Sequence, residues 1–280
     1  MTRNLTRLQM IERSISKKFR KELWAPFLTA INRYKLIDEG DRIAVCISGG
    51  KDSMCMAKLF QMLMRHSDIH FETVFLLMDP GYSQTTRDKI KENASLLEIP
   101  LTEFKTQIFA IADTQSKSPC YLCARMRRGS LYAKARELSC NKIALGHHLN
   151  DAIETTLMSM FYSSKLETII PKSHSENFPD MELIRPMYCV KEADINAWCT
   201  YNDLSFIQCA CSVSARNNDS PNVSKRHETK LLIAELKKNN PEIEDNIFRS
   251  LHAVYLDSFP GYKKDGILHN FNEIYEGKDK

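Results

Sequence analysis

The chain has 280 residues, 43% hydrophobic and 26% charged, with a formal net charge of +4. That composition reads as a soluble globular chain of one or two domains and excludes a low-complexity protein. The mild charge permits a polyanionic partner without demanding one, and no apolar run is long enough to span a bilayer, so no membrane partner is expected.

Residues 1–34 read as helical, with Leu5, Leu8, Ile11, Ile15 and Phe19 on one face. Pro26 marks a break or a second helix start. The other face is basic through Arg3, Arg7, Arg13, Lys17, Lys18, Arg20 and Lys21. Such a run is either a solvated helix face or an electrostatic footprint for RNA phosphates. Residues 1–21 lack the apolar centre of a secretion signal. Nine cysteines without such a signal point to a reducing cytoplasm, and to metal or catalytic thiols rather than disulfides.

Strands are expected at 43–47, 71–78, 101–106, 142–146 and 182–185. Helices are expected between them at 53–65, 85–97, 123–138 and 151–162. This alternation predicts an α/β fold with a Rossmann-like parallel sheet covered on both faces. Ligands of such sheets bind at the carboxyl ends of the strands. The division expected is a basic helical segment over 1–40, the sheet domain over 41–190, and a helical extension over 191–280. In the extension, 191–204, 225–238 and 241–254 read as helices, 212–224 as a polar loop, and the tail after 259 as irregular. Basic residues recur there at Lys225, Arg226, Lys230, Lys237 and Lys238.

The first strand runs into IAVCISGGKDS, residues 43–53, and then into a helix. Gly49 and Gly50 remove Cβ atoms that would hold the backbone off a ligand. Backbone N–H groups at a helix N-terminus make an anion site. Ser48 and Ser53 add hydroxyls, and Lys51 adds a point charge. This is not a Walker A loop, which needs glycine where Val45 stands and Ser or Thr where Asp52 stands. A second glycine turn, Gly146-His147-His148-Leu149-Asn150-Asp151 followed by Glu154-Thr155, lies at another strand end. Either histidine is a candidate for phosphate contact or proton transfer, but adjacent side chains diverge, so at most one serves.

Cys120 and Cys123 form a C-x-x-C at a helix start. On its own this is a redox pair, half of a metal site, or chance. Cys209 and Cys211 are a distant third thiol source. Structural zinc takes four ligands, whereas three thiolates leave a position open, and iron–sulfur clusters accept thiolates readily. Cys46, Cys55, Cys140, Cys189 and Cys199 read as packing residues.

The SGGKDS turn resembles the signature of the PP-loop ATP pyrophosphatases. Together with PCYLCARMRRGSLYAKARELSCNKIALGHHLNDAIET it is similar to the tRNA 2-thiocytidine synthetase family, over roughly residues 18–209. The resemblance implies a PP-loop domain over 41–190 that binds ATP through Ser48, Gly49, Gly50, Lys51, Asp52, Ser53, Asp79, Gly146 and Asp151. Adenine would meet the backbone near Leu77 and Met78. Mg²⁺ would sit on Asp52 and Asp151, and Lys51, Asp52 and Asp151 would be the catalytic set. It implies a [4Fe–4S] cluster on Cys120, Cys123 and Cys209. Cys211 is the alternative, because the family shows C-x-x-C where this chain has Cys209-Ala210-Cys211. Arg125, Arg127, Arg128, Lys17 and Lys18 would contact tRNA. The implied reaction is ATP-dependent conversion of an anticodon-loop cytidine, position 32, into 2-thiocytidine. The implied partners are tRNA, a sulfur donor such as a cysteine desulfurase, and a second copy in a homodimer. Thiolation of a uridine and a non-catalytic ATP-binding zinc protein are the alternatives.

Overall fold

Apolar residues recur every fourth position along the N-terminal segment: Ile11, Ile15, Phe19, Leu23 and Phe27, all buried. In a regular α-helix a four-residue repeat drifts by about 40° per step and winds off one face. The computed structural model, which describes residues 5–113, 119–207 and 224–276, shows how the stripe is kept straight. Helix α1 (Arg7–Arg13) passes into two wider π turns, Ser14–Lys18 and Arg20–Trp24, before α2 (Ala25–Tyr34). Each π turn takes up more residues per turn and cancels the drift. Thr6 starts α1 through a capping box with Gln9. Pro26 falls in the first turn of α2, where its missing N–H costs no helix bond.

The sheet follows as expected. β1 (Arg42–Ile47), β2 (Glu72–Asp79) and β3 (Leu101–Lys105) alternate with α3 (Lys51–His66) and α4 (Gln84–Leu96). The chain then passes through α5 (Ile108–Asp113) and α6 (Pro119–Glu137) to β4 (Lys142–Ala144) on the far side of β1. After α7 (Leu149–Ser163) come β5 (Lys172–His174), β6 (Glu182–Ile184) and α8 (Glu192–Tyr201). The six strands lie in the order β3-β2-β1-β4-β6-β5, all parallel except β5 on β6. Strand order reverses between β1 and β4, so the ligand crevice of such a sheet opens there.

β1 is central, which explains its unbroken apolar run: residues 43 to 47 are all buried. Under α6, Ala44, Cys46, Leu76, Tyr132, Ala135, Cys140, Ile143, Met181 and Leu183 form one core cluster. Of the cysteines read as packing residues, Cys46, Cys55, Cys140 and Cys199 are buried and Cys189 is half-buried. Below the sheet, the Lys142 ammonium is buried 2.6 Å from Asp41 and 2.7 Å from Asp38. This ties the start of β4 to the turn before β1.

Beyond the π turns and α5, which were not expected either, two features differ from the sequence reading. The short antiparallel strand β5 was not expected, and the tail is not irregular. β7 (Gly261–Lys264) and β8 (Ile267–Asn270) form a hairpin across Asp265 and Gly266, both at positive φ. Asp-Gly is a favoured pair for that two-residue turn. The chain divides into two compact units, Met1–Lys230 and Leu231–Lys280. The second contains most of α9 (Lys225–Asn239), then α10 (Ile243–Ser250), the hairpin and α11 (Phe271–Glu276). Among the described residues, no helix is long and apolar enough to cross a membrane.

Candidate active site

The turn after β1 is built around one hydroxyl. Ser53 Oγ accepts from the Ser48 N–H at 3.1 Å, contacts Ser48 Oγ at 3.1 Å and donates to the Gly50 carbonyl at 2.9 Å. Its single proton is thereby directed into the loop, so Ser53 shapes the turn that Ser48 and the start of α3 present. Gly49 sits at φ +86°, and a Cβ there would lie 2.5 Å from Ile90 Cγ1 and 2.9 Å from Ile207 Cδ1. Gly50 has ordinary backbone angles and room for a side chain. Only the first glycine of the pair is therefore demanded by conformation.

The turn after β4 lies directly against it. A Cβ on Gly146 would meet Ser53 N at 3.3 Å and the Asp52 carbonyl carbon at 3.4 Å, so this glycine lets the two turns touch. Asp151 caps α7, its Oδ2 accepting from the His148 N–H at 3.0 Å. The buried His148 ring lies between the two motif carboxylates, with Nδ1 3.4 Å from Asp151 Oδ2 and Nε2 3.9 Å from Asp52 Oδ1. His147 Nδ1 accepts from Arg185 Nε at 3.2 Å. Burial, aided by the Arg185 charge and opposed by Asp151, pulls the His147 pKa down to about 4. His147 is therefore a neutral imidazole at pH 7, with its proton on Nε2.

Between the two turns is a cavity of about 380 Å³. Ser48, Asp52, Ser53, Gly146, His147, His148 and Asp151 line it, together with Met78 at the end of β2 and Arg127 from α6. A second cavity of about 530 Å³ lies against Gly50, Lys51, Asp52 and Cys199. Asp52 belongs to both walls. Its Oδ1 is buried and receives no hydrogen bond, although the Lys51 ammonium stands 3.1 Å away.

A chain of ion pairs crosses this region. Lys51 Nζ is 2.9 Å from Glu192 Oε1, and Lys230 Nζ is 2.9 Å from Glu192 Oε2. Lys230 and the Arg226 Nε each lie 3.7 Å from the buried Glu154, and Arg226 reaches Asp151 Oδ1 at 3.1 Å. Burial alone would raise the Glu192 pKa, but Lys230 and Lys51 hold it at about 2. At Glu154 the balance reverses. Burial outweighs Lys230 and Arg226 and lifts its pKa to about 7.

That shift predicts a sign. Glu154 has a raised pKa in the fold, so folding takes up a proton there, and stability falls as pH rises from about 4.5 to about 7. A Glu154→Gln variant escapes this loss. Its Tm, measured against the native chain, is expected to gain by about 2–4 °C between pH 5 and pH 7. A pH-independent difference would contradict the assignment.

Not every residue picked from the sequence reaches the cavity. Gly49, Gly50, Lys51 and Asp79 do not line it; Gly50 and Lys51 face the second cavity across Asp52, and Asp79 is held in its own turn. Its Oδ1 accepts from the Gly81 and Tyr82 N–H groups at 2.9 and 2.7 Å, and its Oδ2 accepts from Arg87 at 2.7 Å. Burial would raise its pKa, yet these three donors together hold it below the usual carboxylate value. On α6, Arg127 reaches the cavity while Arg125 and Arg128 are exposed. Lys17 and Lys18 are exposed on the first π turn, with the Lys18 ammonium 3.7 Å from the Tyr201 ring centroid. Cys120 and Cys123 stand one turn apart at the start of α6, and Cys123 is half-buried. Cys209 and Cys211 lie outside the described residues. The sequence reading missed Glu192 altogether and saw Arg226 and Lys230 only as part of a basic stretch. No local spacing links them to the glycine turns.

The PP-loop domain family model matches residues 15–217. The chain is 34% identical over 252 residues to the tRNA-cytidine(32) 2-sulfurtransferase of Syntrophotalea carbinolica, covering 86% of this chain and 91% of that protein. It is 35% identical over 255 residues to the protein of the same name from Paraburkholderia phymatum, covering 89% and 73%. A third of that name, from Alcanivorax borkumensis, is 31% identical over 282 residues, covering 100% and 93%. Among solved structures, the U34-tRNA thiolase NcsA from Methanococcus maripaludis with its [4Fe–4S] cluster superposes with a TM-score of 0.66. It shares 19% identity over 88% of this chain and 81% of that one, a likeness of fold.

Proposed function

The chain belongs to the PP-loop family of tRNA-cytidine(32) 2-sulfurtransferases, and from that premise we propose that it thiolates cytidine 32 of tRNA at the expense of ATP. The observation that carries this reading is the placement of α6. Cys123 stands one helical turn before Arg127, and Arg127 lines the cavity between the two glycine turns. One rigid element thus links the thiol turn to the nucleotide cavity.

In this reading ATP lies in the cavity, its phosphates on the Ser48 turn and the N-terminus of α3. Lys51 neutralises the leaving pyrophosphate, and the positive end of α3 adds to that stabilisation. The C2 oxygen of the cytidine attacks the α-phosphorus. The new O–P bond turns that oxygen into a leaving group, and pyrophosphate departs. Sulfur at the sulfide level (HS⁻) then adds at C2, the C2–O bond breaks, AMP leaves carrying the former carbonyl oxygen, and the S–H proton passes to solvent. His147, neutral with an Nε2 proton, is a hydrogen-bond donor at the cavity wall.

Mg²⁺ belongs to this reading, with Asp52 and Asp151 as the carboxylates that would hold it; Asp151 would share its oxygens with Arg226 and the His148 N–H. Among the described residues no three His, Cys, Asp or Glu side chains form an ion cage. Asp52 and Asp151 instead flank His148, and Asp52 keeps a buried oxygen without a hydrogen bond. Two carboxylates completed by phosphate oxygens are the usual magnesium arrangement. The donor set at the start of α6 also suits a thiolate-bound cluster. Cys120 and Cys123 would hold the [4Fe–4S] group, with Cys209, or alternatively Cys211, as third ligand. When bound, the cluster supplies the sulfur that replaces oxygen. Arg125 and Arg128 beside it, with Lys17 and Lys18, are the proposed tRNA contacts. A cysteine desulfurase as sulfur donor, with a thiol reductant to bring its persulfide sulfur to the sulfide level by two electrons, and a homodimer belong to the same reading.

The oxygen path makes a direct test. With tRNA carrying ¹⁸O at C2 of cytidine 32, the AMP released is expected to contain the label. Unlabelled AMP formed alongside thiolated tRNA would overturn activation at the C2 oxygen.

A further inference from the structure

Resting on the reading of the cavity as the ATP site, we propose that Lys230 is a second phosphate ligand there. In this proposal Glu192 is the internal anion that holds Lys230 and Lys51 side by side. The Glu192 carboxylate bridges the two ammonium groups, one oxygen to each, at 2.9 Å in both cases. Glu192 and Lys230 both line the cavity that holds Ser48, Asp52 and Asp151. Two oxygens on one central atom, each meeting one lysine, is also the geometry of a phosphate group. A phosphate carries more negative charge than a carboxylate and so competes well for the same pair of cations. Beyond Glu192, the Lys230 ammonium faces Glu154 only at the longer distance of 3.7 Å. Lys230 therefore gives up little else when it turns to a phosphate.

The placement is indirect in sequence. Lys51 opens α3, Glu192 opens α8, and Lys230 stands on the second turn of α9. The loop lysine thus works as one of a pair, and its partner comes from α9, beyond the last strand of the sheet. The pair would grip the β- and γ-phosphates, the part of ATP that leaves as pyrophosphate.

Titration calorimetry of the full chain with ATP and with inorganic pyrophosphate tests this. Lys230→Met is expected to weaken both by about 10- to 100-fold, and Lys230→Arg to restore most of the loss. Glu192→Gln keeps the side chain's size but removes the competing charge, so it should bind pyrophosphate more tightly than the native chain, by about 3- to 10-fold. Opposite signs at two residues in mutual contact are not what a merely structural role produces, since loss of structure weakens binding in both. Native ATP affinity in a folded Lys230→Met variant would overturn the assignment alone, and so would weaker pyrophosphate binding by a folded Glu192→Gln variant. Absence of ATP and pyrophosphate binding by the native chain would overturn the ATP-site reading itself.

Discussion

Replacing Gly49 with alanine is expected to weaken ATP binding by about 10- to 100-fold while leaving the sheet intact. Two costs combine. The backbone at φ +86° lies where an L side chain is strained by roughly 1–2 kcal/mol. The new methyl would also stand 2.5 Å from Ile90 Cγ1 and 2.9 Å from Ile207 Cδ1, so the loop must move or those chains must yield. A Gly49→Ala/Ile90→Ala/Ile207→Ala triple variant separates the two. Relief of the overlap should recover part of the affinity, and the backbone cost should remain. Full recovery would mean that the left-handed turn is not needed, and unchanged affinity in the single variant would remove the loop from the ATP site. Gly50, with ordinary angles and room for a Cβ, should tolerate alanine far better.

Lys51→Met should have the larger effect on chemistry. The ammonium is shared between Asp52 at 3.1 Å and Glu192 at 2.9 Å, and burial, which opposes charge, is outweighed by these carboxylates. Lys51 is therefore firmly charged across the working pH range. Removing one charged group aimed at the leaving phosphates costs about 10²–10³ in rate. The expected result is a loss of that size in tRNA-dependent AMP formation, measured in single turnover with ATP saturating. A loss confined to ATP affinity, with the single-turnover rate unchanged, would make Lys51 a binding group only.

The glycine turns and the parallel sheet were legible because both are local. A buried central strand needs an unbroken apolar run, and a turn at positive φ needs glycine. Residues 43–53 satisfy both within a few positions. The charged ring around the cavity was not legible. Glu192 meets Lys51 across 141 positions and Lys230 across 38, and only the tertiary fold, with α8 packed on α3, brings them together. Asp79 illustrates the reverse case. It stands at a strand end like the other site residues, yet the N–H groups of its own turn take its carboxylate. The four-residue apolar repeat in the N-terminal segment did carry a signal for the π turns, since no regular helix keeps such a repeat on one face. The Asp265-Gly266 turn was likewise readable, but the four-residue strands beside it show little alternation.

In the proposed function the cavity and the thiol turn serve one reaction, replacement of the cytidine C2 oxygen by sulfur. The most direct measurement is mass spectrometry of nucleosides from tRNA incubated with the anaerobically purified chain, ATP, Mg²⁺ and a sulfide source. The expected product is 2-thiocytidine at position 32, formed in step with AMP and lost in Lys51→Met and Cys123→Ala variants. Thiolated uridine in its place, or AMP release with no sulfur entering the tRNA, would contradict it.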